Sequence, residues 1–152
     1  MSDHQLGSIH LPPIDQVGFL VKDMDQAIAY YGALFGEFQV SEHELKEATF
    51  RGKTCDCKLS MAIAMSGPLE IELIQPLGGD NPYDEFLEEH GEGLHHLRFP
   101  IEDLNATLKE LAAEGIKPFF QKSFPEIGVA FAYVANPQKS RVVFELIQKQ
   151  GA

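Results

Sequence analysis

The tetrapeptide Glu-Leu-Ile-Gln occurs twice in the chain, at Glu72 to Gln75 and at Glu145 to Gln148, each time closing an apolar run of β type. The repeat limits the architecture to one built from two similar units. It extends backwards. Ahead of the first copy lies Asp15-Gln16-Val17-Gly18-Phe19-Leu20-Val21, and ahead of the second lies His95-His96-Leu97-Arg98-Phe99-Pro100-Ile101, with Gln16 and His96 in matching positions. After each comes an acidic residue and a helical pattern. The first runs from Asp23 to Phe35, with Met24, Ala27, Ile28, Tyr31, Leu34 and Phe35 on one face; the second runs from Asp103 to Glu114, with Leu104, Leu108 and Leu111. This spacing is that of an amphipathic helix laid on a sheet. Both patterns stop at a glycine, Gly36 or Gly115, where a left-handed C-cap is least costly.

Extended runs follow each glycine: Phe38 to Leu45, Lys58 to Met65 and Leu69 to Gln75 in the first half, and Lys117 to Gln121, Val129 to Ala135 and Arg141 to Gln148 in the second. Each half therefore reads as strand, helix and three strands. The predicted fold class is α+β, with an N-terminal extension at residues 1–12, a first βαβββ module at 13–76, a connecting loop and short helix at 77–93, and a second module at 94–149. Agreement between the tetrapeptides and the repeated order of elements carries more weight than either alone.

A chain of 152 residues buries enough surface to fold without staples. The cysteines Cys55 and Cys57 are too close in an extended stretch for an unstrained bridge and read as reduced and semi-buried. Met1 to Gln16 has no apolar core of a signal peptide, and no run reaches membrane-spanning length, so the cytoplasm is the expected compartment. A formal net charge of −11 argues against nucleic acid and anionic membranes as partners.

The chemistry falls on the repeated positions. Side chains alternate along a strand, so a polar residue among inward-facing apolar ones is conspicuous. Gln16, Glu72, His96 and Glu145 are four such residues, two from each module. Buried carboxylates need a partner, and a metal ion satisfies two at once. One imidazole with carboxylate and amide oxygens suits a borderline divalent ion: zinc, cobalt, nickel, manganese or iron.

At these residues the chain resembles the vicinal oxygen chelate superfamily, which includes glyoxalase I, methylmalonyl-CoA epimerase, extradiol dioxygenases and bleomycin-resistance proteins. The resemblance runs from about Pro13 to Gln148, and Gly93 to Phe99 and Asn136 to Leu146 look most like the epimerase. It implies a mixed sheet curved into a cup, with Gln16, Glu72, His96 and Glu145 as metal ligands. Register favours His96 over His95, which is then expected to face the other way. The resemblance further implies a lyase or isomerase that polarises a small-molecule carbonyl substrate and moves a proton at the adjacent carbon. Glu145 is the candidate base and Glu72 the second. A homodimer is also implied. The alternatives are a non-catalytic binder of the bleomycin-resistance kind and an extradiol dioxygenase; the latter usually needs two histidines and one carboxylate.

The chain departs from both relatives. The epimerase's second catalytic glutamate lies on the strand before the Glu72-type ligand, and here Ser60 or Lys58 falls nearest that place, with Asp56 on the same face by parity. Glyoxalase I's glutathione segments are missing, and its Asp-Pro-Asp-Gly turn is replaced by Asn136 to Ser140. Ser60, Lys58, Phe131 and Tyr133 are the candidate substrate contacts. Phe50, Phe120 and Phe124 either line an apolar pocket with Phe131 and Tyr133 or belong to the core. Arg51, Lys53, Lys122 and Arg141 either receive an anionic tail or are solvated.

Overall fold

The computed structural model describes residues 9–149. In chain order the elements are β1 (Gln16–Leu20), α1 (Met24–Phe35), β2 (Gln39–Phe50), β3 (Lys53–Ser66), β4 (Leu69–Gly79), α2 (Pro82–His90), β5 (Gly93–Ile101), α3 (Leu104–Ala113), β6 (Lys117–Phe124), β7 (Val129–Ala135) and β8 (Val143–Lys149). The strand order is β1-β4-β3-β2-β6-β7-β8-β5, closed into a barrel. Each module contributes four neighbouring strands. They join where β1 runs antiparallel to β5 and where the end of β2 meets β6, so the curved sheet closes within one chain.

The second seam is short: only Thr49 and Phe50 pair, with Gln121 and Phe120. It exists because β2 continues five residues beyond the expected Leu45. A register shift between Leu45 and Ala48 carries the strand on, and Arg51 and Gly52, both at positive φ, make the two-residue turn into β3.

Alternation divides the apolar side chains between two surfaces. Inside the barrel, Leu20, Cys55, Cys57, Leu59, Ile74, Phe120 and Tyr133 form one cluster, into which α2 inserts Tyr83 and Phe86. Outside it, α1 covers Ala62, Ala64, Ile71 and Leu73, and α3 covers Ala132, Val134 and Leu146. Ile9 and Leu11, from the segment expected to be a mere extension, pack against the α3 cluster. Residues 1–8 of that segment lie outside the described residues. Leu34 is 66% exposed rather than packed. Ten residues on from Met24 it lies about 80° around the helix from that residue, at the edge of the buried stripe. Both cysteines are free and buried on the inner face, and burial pushes the Cys57 thiol up to about 11.

The tetrapeptide repeat has a structural reason at every position. Leu73 and Leu146 face the helices, while Ile74 and Ile147 alternate with them. The glutamines reach the helix starts: Gln75 Oε1 accepts from Met24 N at 2.9 Å, and Gln148 Oε1 accepts from Leu104 N at 2.7 Å. Asp23 and Asp103 cap the same helices by accepting from Gln26 N and Ala106 N.

Candidate metal centre

The remaining position of each tetrapeptide, the glutamate, faces a common point. Glu72 on β4 stands across from Gly18 on β1, and His96 on β5 stands across from the same glycine. Gln16 opens β1 opposite Arg98, and Glu145 on β8 stands opposite Arg98 from the other side. Four adjacent strands, β4-β1-β5-β8, thus bring together residues from both modules. His96 Nε2 lies 2.8 Å from Gln16 Oε1, 3.4 Å from Glu72 Oε1 and 3.3 Å from Glu145 Oε1. All four residues are buried, at 0 to 7% exposure.

The separations to Glu72 and Glu145 fit a cation, while 2.8 Å to Gln16 is a hydrogen-bond distance. Donor atoms held at about 2.1 Å around one small divalent ion stand roughly 3 to 3.4 Å from one another. Glu72, His96 and Glu145 each offer a ligand atom, with all three within 4.8 Å of one another. Two buried carboxylates beside one imidazole also leave negative charge to be neutralised. Burial, with Glu72 adding to it against the opposing pull of His96, pushes Glu145 up to about 7. Its lone pairs compete for a proton or a metal.

His95 departs from expectation. Gly18 pairs with His96 and Phe19 with Leu94, so His95 is the extra residue of a β-bulge and does not face away. It is 1% exposed, and its Nδ1 lies 2.8 Å from His96 Nδ1. Its ring sits among Tyr83, Phe86 and Tyr133, with centroids at 5.5, 4.8 and 5.5 Å. Burial and the neighbouring His96 hold it well below the usual histidine range, so it stays neutral and serves as a hydrogen-bond partner. For His96 to offer an Nε2 lone pair, its Nδ1–H must donate to His95 Nδ1; this tautomer leaves the proton of His95 on Nε2.

The four candidate substrate contacts divide. Phe131 and Tyr133 belong to the inner cluster; Tyr133 pairs with Glu145 across the β7–β8 ladder, its ring 5.5 Å from that of His96. Its hydroxyl lies 2.8 Å from that of Tyr83. Ser60 and Lys58 do not join them. Their parity is that of Ala62 and Ala64, which face α1, whereas Leu59 and Met61 point inward. Asp56 shares that outward parity and accepts from Glu47 N. No carboxylate therefore reaches the interior from β3. Phe50 and Phe120 pack edge to face with centroids at 6.1 Å, and Phe120 is fully buried, as core residues are. Arg51 is tied to Glu85, and Lys122 donates to Lys46 O. A groove of about 850 Å³, bordered by Thr49, Asn105, Gln121 and Gln148, includes none of the four converging residues.

Sequence reasoning missed Gly18, Glu70 and Arg98. A β carbon on Gly18 would fall on the His96 ring, and the sequence signal was a lone glycine within an apolar strand. Glu70 and Arg98 hold Gln16 and gave no local signal.

Comparison with known proteins bears on the family and the fold. Residues 15–133 match the profile of the Glyoxalase/Bleomycin resistance protein/Dioxygenase superfamily. The chain is 26% identical over 141 residues to the uncharacterized protein YqjC of Bacillus subtilis, covering 91% of this chain and 93% of that protein. It is 30% identical over 118 residues to human mitochondrial methylmalonyl-CoA epimerase, covering 76% of this chain and 61% of the relative. The crystal structure of methylmalonyl-CoA epimerase from Mycobacterium tuberculosis superposes with a TM-score of 0.64 at 20% identity, covering 97% and 95% of the two chains.

Proposed function

Because the chain belongs to the Glyoxalase/Bleomycin resistance protein/Dioxygenase superfamily, we propose that it is a divalent-metal-dependent isomerase or lyase that moves a proton at the carbon beside a carbonyl. The observation that carries this reading is the convergence of Gln16, Glu72, His96 and Glu145 oxygen and nitrogen atoms on one buried point. The epimerase relatives support the isomerase side of it.

Gln16, Glu72, His96 and Glu145 would hold a divalent ion, which would supply Lewis-acid polarisation of the substrate carbonyl and so acidify the neighbouring C–H. Glu145 takes the proton. Burial, with Glu72 beside it, raises the Glu145 carboxyl in the metal-free site, which favours its holding a proton. Glu72, the second candidate, stays a ligand. The Phe131 and Tyr133 rings beside Glu145 present an apolar wall to the substrate. The inner face of β3 carries Leu59, Met61 and Ile63 and no carboxylate, so that strand supplies no second base.

His95 keeps its Nδ1 on His96, so a single imidazole faces the site. That disfavours the dioxygenase chemistry of two histidines and one carboxylate. The test is metal analysis of the purified protein together with deuterium uptake at the α-carbon of a panel of carbonyl compounds, 2-substituted acyl thioesters first. Exchange is expected in the wild type and lost in Glu145→Gln; undiminished exchange in that variant removes Glu145 as the base.

A further inference from the structure

The Gln16 amide has two ends of nearly the same shape, and only one carries lone pairs for a cation. Its oxygen faces His96 Nε2 at 2.8 Å, and its Nε2 donates to Glu70 Oε2 at 3.0 Å. The same Glu70 oxygen accepts from Arg98 Nη2 at 2.8 Å. Arg98 in turn grips Asp15 through Nε at 2.8 Å and Nη2 at 3.1 Å. These groups lie just beside the site: Arg98 is 11% exposed at its side chain, Glu70 24% and Asp15 32%.

We infer that Glu70, clamped by Arg98 and Asp15, is a positioning residue that locks the Gln16 carbonyl oxygen toward the metal site; this rests on the metal reading above. A carboxylate accepts and does not donate, so only the NH₂ end of the amide can face Glu70. A reversed amide would set two acceptors against each other at hydrogen-bond distance, with no proton between them, in a 1% exposed position. The orientation follows from the chemistry of Glu70. Arg98 performs two tasks. It holds the Glu70 oxygen in place, and it offsets the charge of a third carboxylate close to Glu72 and Glu145. The first module thus aims a neutral oxygen with an ion-pair clamp, while the second aims an imidazole nitrogen with the His95 bulge.

The test is Co²⁺ affinity, read from the visible absorption of the bound ion, for four proteins: wild type, Glu70→Leu, Gln16→Ala and the double variant. Loss of a group that orients a ligand lowers metal affinity about 10- to 100-fold. Glu70→Leu is expected to show such a loss, with Glu70→Gln in between, because a glutamine there accepts from the amide without forbidding its reversal. In the Gln16→Ala background the Glu70→Leu change is expected to cost nothing more, since its effect runs through Gln16. Wild-type affinity in Glu70→Leu, or an equal loss in both backgrounds, overturns the inference. Absence of Co²⁺ binding by the wild type overturns the metal reading itself, and is read before any variant is compared.

Discussion

Gly18 stands opposite His96 in the β1–β5 ladder, and the imidazole occupies the space that any side chain at position 18 would need. A β carbon there falls on the Cε1, Nδ1 and Nε2 atoms of the ring, far inside contact distance. His96 is 0% exposed and has nowhere to retreat. Gly18→Ala is therefore expected to displace the ring, lower divalent-ion affinity tenfold or more, and cost roughly 1 to 3 kcal/mol as an overpacked interior does. Calorimetric titration with Co²⁺ and thermal melts measure the two effects; unchanged affinity would show that the ring position does not matter.

The shifted Glu145 makes the metal-free protein pH-sensitive. Its folded pKa is raised from 4.5 to about 7, chiefly by burial, so between these values the folded chain keeps a proton that the unfolded chain releases. Stability is then lost as pH rises through that window and levels off above it, by at most about 3 kcal/mol. Chelator-treated protein is expected to melt at lower temperature at pH 8 than at pH 5. Glu145→Gln should flatten this slope. A slope equal in wild type and variant would assign the effect to another group.

Gln75 and Glu72 belong to one tetrapeptide yet face opposite sides of β4, which separates their consequences. Gln75→Leu removes the acceptor for Met24 N and, like loss of a helix cap, is expected to cost about 1 kcal/mol. For a domain of this size that lowers Tm by roughly 2 to 4 °C. Metal affinity should be unchanged. Gln148→Leu should behave alike at Leu104 N. A parallel loss of Co²⁺ binding in either variant would mean that the two faces are coupled.

The strands and helices were legible because their signals are local. A period of two or of 3.6 residues, a capping aspartate and a glycine stop can be read within a short window. The four converging residues were legible for a related reason: the duplication placed Gln16 with His96 and Glu72 with Glu145 at matching register. Parity failed where a strand departs from regularity or where its phase was misjudged. The bulge at His95 turned a residue inward that simple alternation placed outside. On β3 Ser60 and Lys58 share the phase of the outward Ala62 and Ala64.

The amino-acid sequence by itself determined two βαβββ modules, their helix faces and the glutamine, histidine and glutamates that converge, since each follows from near-neighbour spacing and its repetition. Tertiary structure alone decided that the barrel closes at the β2–β6 seam, that Gly18 makes room for His96, and that Glu70 and Arg98 aim the Gln16 amide. These are contacts across 28 to 80 residues of chain. They depend on strand register and on the volume left by a neighbour, and neither quantity is written in the order of residues along one strand.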